Sequence, residues 1–101
     1  MEILKQIKSR LAEAYGSRLK AVVLYGSEAR GDSEPDSDID VLVVLDGEIR
    51  LGEDVVKIID VLYPLQLKVF RPIHALPVSA ADYAAGEYAL YRNAKRQGVP
   101  A

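Results

Sequence analysis

Apolar residues recur three and four apart from the start of the chain: Ile3, Leu4, Ile7, Leu11, Ala14 and Tyr15, with Lys5, Lys8, Arg10 and Glu13 on the other side. That is the period of an amphipathic helix over residues 2–15, and Gly16-Ser17 ends it. The pattern then changes. Lys20 to Tyr25 (KAVVLY) is a short apolar run with β-branched residues and predicts a buried strand stopped by Gly26. Ser27 is placed to cap a short helix that begins Glu28-Ala29-Arg30, and GDSEPDS over residues 31–37 is turn chemistry throughout. Ile39 to Leu45 predicts a second strand, closed by Asp46-Gly47. Val55, Val56, Ile58, Ile59 and Leu62 predict a second long helix over 53–62, which Pro64 should not continue. Leu65 to Phe70 alternates like a half-buried third strand. Pro72 to Pro77 looks like loop, and Ser79 to Gln97 like one final helix with Ser79 and Asp82 as a capping pair.

The expected order is therefore helix, strand, short helix, strand, helix, strand, helix. It describes an α/β domain with a three-stranded mixed sheet flanked by helices. At 101 residues the chain makes a single domain, residues 1–101, with room for one modest core and one cleft. Half of the residues are hydrophobic and 28% are charged, the balance of an ordinary globular protein. The formal net charge of -2 does not supply the basic surface that strong nucleic-acid binding needs, Arg92, Lys95 and Arg96 forming only a small cluster. The absence of cysteine excludes thiol chemistry, and the lone His74 excludes a His-rich zinc site within one chain. The longest apolar run, Val41 to Leu45, is too short to span a bilayer, and no signal-peptide core is present. A soluble cytoplasmic protein is the expectation.

The candidate chemistry lies in GSEARGDSEPDSDIDVLVVL, residues 26–45. A strand repeats every two residues, so Asp38 and Asp40 share one face while Ile39, Val41, Val43 and Leu45 share the other. Two carboxylates ~5 Å apart at an effective dielectric of about 20 repel by roughly 3 kcal/mol. A divalent cation offsets that repulsion, and all-oxygen ligands suit Mg²⁺ or Mn²⁺. Asp38 and Asp40 are thus the candidate metal ligands. If the two strands are antiparallel, Gly26 and Ser27 lie beside these aspartates. Gly26 lets a phosphate approach the backbone closely, the amides and hydroxyl at Ser27 begin a short helix, and Arg30 adds a phosphate contact. Gly-Ser after a strand is usually only a turn, and Asp-x-Asp at a strand start is often only a solvated end. Their combination at this spacing is more demanding. It suits a nucleoside triphosphate held by the turn and bridged by metal to the aspartates, with attack at the α-phosphorus.

These residues resemble the signature of the nucleotidyltransferase superfamily that includes DNA polymerase beta, most closely its minimal nucleotidyltransferases. The resemblance extends over nearly the whole chain. It includes Gly26-Ser27-x-Ala29-Arg30-Gly31, Asp36-Ser37-Asp38-Ile39-Asp40 and Leu90-Tyr91-Arg92-Asn93-Ala94. It implies the polymerase beta-type fold, triphosphate binding at Gly26 and Ser27, and catalytic metals on Asp38 and Asp40. The implied activity moves AMP from ATP to an acceptor. Such short proteins often pair with a small helical HEPN-type protein as the antitoxin of a toxin-antitoxin system, and some place AMP on a tyrosine of the partner. An acceptor recognised by a partner chain or by a second copy in a homo-oligomer fits the small size.

The family pattern has a third carboxylate on the strand after the second long helix. The strand expected there, Leu65 to Phe70, has no acid, and Gln66 or Lys68 falls at the expected position. A lysine beside Asp38 and Asp40 would neutralise the pair and compete with the metal. The alternative function is therefore an impaired nucleotide-binding or interaction protein that neutralises its partner by binding. His74, between prolines, receives no role. Tyr83, Tyr88 and Tyr91 are expected to pack the last helix onto the sheet, and Arg92, Lys95 and Arg96 to complement that helix's dipole.

Overall fold

A computed structural model describes residues Met1 to Ala101. Helix α1 (Glu2–Tyr15) leads through a 3₁₀ turn into strand β1 (Leu19–Tyr25), followed by the short helix α2 (Gly26–Arg30). Strand β2 (Ile39–Leu45), helix α3 (Leu51–Gln66) and strand β3 (Ile73–Ser79) come next, then helices α4 (Ala80–Ala85) and α5 (Ala89–Gln97) and a two-residue strand β4 (Val99–Pro100). The sheet order is β3-β2-β1-β4. Strand β1 runs antiparallel to β2 and β4, and β2 runs parallel to β3, so the sheet is mixed. The α/β class and the flanking helices agree with the sequence reading. The sheet has four strands rather than three, because a pair of residues is too short to leave a periodic signal.

Two apolar layers sit on the two sheet faces. Leu4, Ile7, Leu11 and Tyr15 of α1 and Ile58, Leu62 and Leu65 of α3 bury the face formed by Val22, Leu24, Ile39, Val41, Val43 and Leu45. The Tyr15 hydroxyl donates to Asp54 Oδ1 at 2.8 Å, and the Arg50 N–H donates to Asp54 Oδ2 at 3.0 Å, so the one buried carboxylate of this layer is partnered. The opposite layer is thinner: Val23, Leu42, Val44 and Val78 lie under Ala94, with Tyr83 and Tyr91 packed alongside. Asp40 lies on this second face, two residues before Leu42.

The structure corrects several expectations between residues 62 and 97. Helix α3 continues through Pro64 to Gln66, because Leu62 and Leu65 are buried inner-face positions while Pro64 faces solvent. Leu65 to Phe70 is therefore not a strand, and Lys68 sits exposed in the turn after α3. The third strand is instead Ile73–Ser79, the segment whose prolines suggest loop. Ile39 N–H donates to Pro72 O at 2.8 Å, so the peptide groups of even-numbered residues face β2 and the missing N–H of Pro77 falls on the open edge, where proline is tolerated. The final helix is broken at Gly86, which adopts φ 64°. Ser79 does cap α4, accepting from Asp82 N–H at 3.4 Å. Arg92 donates to Gly86 O at 2.8 Å and Lys95 to Ala84 O at 2.6 Å. These cations thus satisfy carbonyls at the end of α4 rather than at the end of their own helix.

Strand β4 anchors α5 over the second face. Gly98 closes α5 by donating to Ala94 O at 2.8 Å, and Ala101 N–H reaches Val22 O at 2.9 Å. A Cβ on residue 98 would lie 2.3 Å from Ala94 O and 2.7 Å from Val23 Cγ1. Gly98→Ala is therefore expected to destabilise the fold by about 2 kcal/mol, read as a Tm drop of roughly 10 °C. An unchanged Tm would show that the C-terminal segment does not dock as described.

Candidate active site

The β1/β2 register pairs Tyr25 with Asp40, so the turn after β1 meets the start of β2. Gly26 has φ 75°, a conformation that favours glycine. A Cβ there would lie 2.7 Å from Asp40 Oδ2. Both facts fix glycine at this position: the backbone needs it, and the carboxylate occupies the space a side chain would fill. Ser27 stands in the first turn of α2 but makes no side-chain cap, and Tyr25 is the cap residue. Arg30 is half-exposed at the end of α2, 3.4 Å from Asp32. Gly26, Ser27, Asp38 and Asp40 are thus brought together, with Arg30 at the margin.

The parallel pairing sets His74 of β3 opposite Asp40, and His74 Nε2 lies 3.2 Å from Asp38 Oδ2. Across three strands the second sheet face therefore presents Tyr25, Asp40 and His74 in one row, with Asp38 at its open end. Side-chain exposures of 49% for Asp38 and 60% for His74 show that this end is open to solvent. Neither Gln66 nor Lys68 stands there. Gln66 ties α3 to β3, accepting from Ile73 N–H at 2.8 Å and donating to Arg71 O at 3.0 Å. A lysine facing the aspartates is thus replaced by a histidine, and the observed third strand (IHALPVS) still carries no acid.

Burial raises the Asp40 carboxyl above its ordinary range; His74 opposes that rise and Asp38 adds to it. Burial and the Asp40 charge likewise raise the Tyr25 phenol. Ionised Asp40 is therefore under electrostatic load. No three His, Asp or Glu side chains converge to hold an ion. The donor set fits a hard cation that takes two carboxylates and completes its shell with water and phosphate oxygens; it does not fit a site closed by protein ligands.

A second ion pair holds this arrangement. Arg71, just before β3, donates to Glu28 Oε1 at 3.2 Å and Oε2 at 3.0 Å, and to Ser37 O at 2.8 Å. Both side chains are only 20% exposed. The Ser33 hydroxyl also donates to Glu28. One guanidinium thereby ties α2 to the residue before Asp38. The hydrogen bonds from Arg71 and then Ser33 lower the Glu28 carboxyl below its ordinary range. Sequence reasoning missed both His74 and Arg71. The available signal was Ile73-His74-Ala75-Leu76, a strand-length alternation that the flanking prolines masked.

Comparison with known proteins shows the family and the fold. The nucleotidyltransferase domain family profile matches residues 4–81. A protein of Methanocaldococcus jannaschii, provisionally named a protein adenylyltransferase, is 32% identical over 96 residues, covering 94% of this chain and 90% of its own. A second protein of that organism with the same provisional name is 40% identical over 45 residues, 45% of this chain and 46% of its own. A crystal structure provisionally described as a nucleotidyltransferase, from Sulfolobus solfataricus, aligns with a TM-score of 0.64 at 22% identity, covering 98% of this chain and 76% of that one.

Two substitutions test the electrostatics. Asp40 has a raised carboxyl, so its ionisation opposes folding once pH exceeds the ordinary carboxylate range, and the penalty disappears below about pH 4. Asp40→Asn is expected to raise Tm at pH 7 and give no gain at pH 3; a lower Tm at pH 7 would contradict the load. Glu28 behaves oppositely, its contribution present above the ordinary range and lost as pH falls through it. Arg71→Ala is expected to cost about 1–2 kcal/mol at pH 7 and less at pH 3. Equal costs in denaturant titrations at the two pH values would remove the ion pair as the cause.

Proposed function

Because the chain belongs to the nucleotidyltransferase domain family, we propose that it transfers AMP from ATP to a hydroxyl on a partner protein. The observation that carries this reading is Gly26 set against Asp40 so closely that a Cβ would lie 2.7 Å from Oδ2. A phosphate chain lying on the bare Gly26-Ser27 backbone is then adjacent to both aspartates. Asp38 and Asp40 would hold Mg²⁺ or Mn²⁺. When bound, the cation supplies charge neutralisation and alignment for the phosphates. Gly26 leaves the phosphates room at the backbone, and Ser27 offers its amide and hydroxyl. Arg30 reaches the outer phosphates by leaving its loose pairing with exposed Asp32. His74 holds Asp38 in place. In the reaction the acceptor oxygen bonds to the α-phosphorus, the bond from that phosphorus to the bridging oxygen breaks, pyrophosphate leaves and the hydroxyl proton is released.

A protein acceptor is supported by the provisional name of the M. jannaschii relative. An apolar stripe on α3 supports a protein partner too: Val56, Ile59 and Tyr63 follow helical spacing at 60%, 59% and 56% exposure. Apolar surface of this kind marks interaction sites. A small helical HEPN-type protein in a toxin-antitoxin pair is the partner proposed. The same stripe, with an acid-free β3, favours a second reading in which the chain neutralises its partner by binding alone.

Incubation of a HEPN-type partner with α-labelled ATP and Mg²⁺ separates the two. Transfer of label that falls at least ~100-fold in Asp38→Ala and Asp40→Ala is expected for the enzyme. Absence of transfer, with neutralisation of the partner surviving in both variants, would establish binding instead.

A further inference from the structure

Beside the phosphate-binding turn, on the Asp40 side of the sheet, lies a cleft between α2 and α5. Its volume is about 280 Å³, and Tyr25, Gly26, Ala29 and Arg30 line one wall while Leu90, Asn93, Ala94 and Gln97 line the other. The volume falls just below the ~300–1,000 Å³ typical of small-molecule pockets. It therefore suits a flat ring rather than a whole nucleotide. Gly26 belongs both to this wall and to the close approach with Asp40, so a ligand whose phosphates lie at the turn has its other end within reach of the cleft.

The α5 wall carries the recognition chemistry. Asn93 and Gln97 are four residues apart, so their carboxamides stand one turn apart on one helix face. Each carboxamide offers a donor and an acceptor together, which matches the N6 donor and N7 acceptor of adenine. Arg96 donates to Asn93 Oδ1 at 2.7 Å, which orients that amide and leaves its NH₂ group and the second lone pair of Oδ1 for a ligand. Ala29, Ala94 and Leu90 supply apolar surface for the ring faces. Gly98 and β4 hold α5 against the sheet, so the wall is fixed to the same strand β1 that leads into Gly26.

The geometry points to this cleft as the nucleobase subsite, with Asn93 and Gln97 selecting adenine. The inference rests on the ATP-dependent transfer reading and adds to it the residues that set the base preference. Both side chains are exposed, so replacing them leaves the core intact.

Calorimetric titrations with ATP, GTP and inorganic tripolyphosphate, each in Mg²⁺, test it on the full chain. The expected result is ATP binding at least ~10-fold tighter than GTP or tripolyphosphate. In Asn93→Ala/Gln97→Ala, ATP should fall to the affinity of tripolyphosphate while tripolyphosphate itself is unchanged. Tripolyphosphate binding with no ATP preference, or an ATP preference that survives in the double variant, would overturn the subsite and leave the phosphate site standing. Failure of all three ligands to bind would overturn the phosphate site and the subsite with it.

Discussion

The backbone of residue 26 and the carboxylate of residue 40 share a space that holds only one of them. A Cβ at Gly26 would lie 2.7 Å from Asp40 Oδ2, in a backbone conformation at φ 75° that favours glycine. The contact follows from one register. Antiparallel pairing of Tyr25 with Asp40 puts the last residue of β1 beside the first acidic residue of β2. A one-residue slip would turn the aspartate into the layer under α1 and α3. Val22, Leu24, Val41 and Val43 prevent that slip, because each is buried on the other face. The apolar core therefore determines where the charge sits.

The sheet divides its labour by face. Under α1 and α3 the burial is deep, and a partnered Asp54 is its only charged group. Under α4 and α5 it is shallow and ends at Asp40, where the strands present Tyr25, Asp40 and His74 to an open end. The raised carboxyl of Asp40 expresses a cost the fold carries. Arg71 braces this end of the sheet, since its contacts with Glu28 and Ser37 O tie α2 to the loop that leads into Asp38. Burial of charge at a candidate site, held by rigid contacts around it, is an expected pattern.

Gly26, Ser27, Asp38 and Asp40 were legible in the sequence because their geometry is local. A strand's period of two settles which face the aspartates take, and a ten-residue turn returns the chain to its neighbour. His74 was not legible, because its placement depends on a parallel crossover through α3 and on which proline a strand can accept. Pro77 is harmless at an open edge and Pro64 harmless on a solvent-facing helix turn, yet each reads as a breaker in isolation. Lys68 was placed beside the aspartates because Leu65 to Phe70 alternates; Leu65 is in fact the inner face of α3. The break at Gly86 leaves no local periodic signal, and the pairing of Arg92 and Lys95 with α4 carbonyls, with Tyr83 against Tyr91, shows why two short helices pack together.

Asp38 and Asp40, with the turn at Gly26, would as proposed form a cation and phosphate site on the open sheet face. Paramagnetic broadening by trace Mn²⁺ in an amide-resolved NMR spectrum tests it directly. Amides of residues 26–28, 38–41 and 73–75 should broaden first, and addition of ATP should sharpen that localisation. Broadening centred on the acidic surface of α3 around Glu53 and Asp60, or spread evenly over the exposed carboxylates, would contradict it.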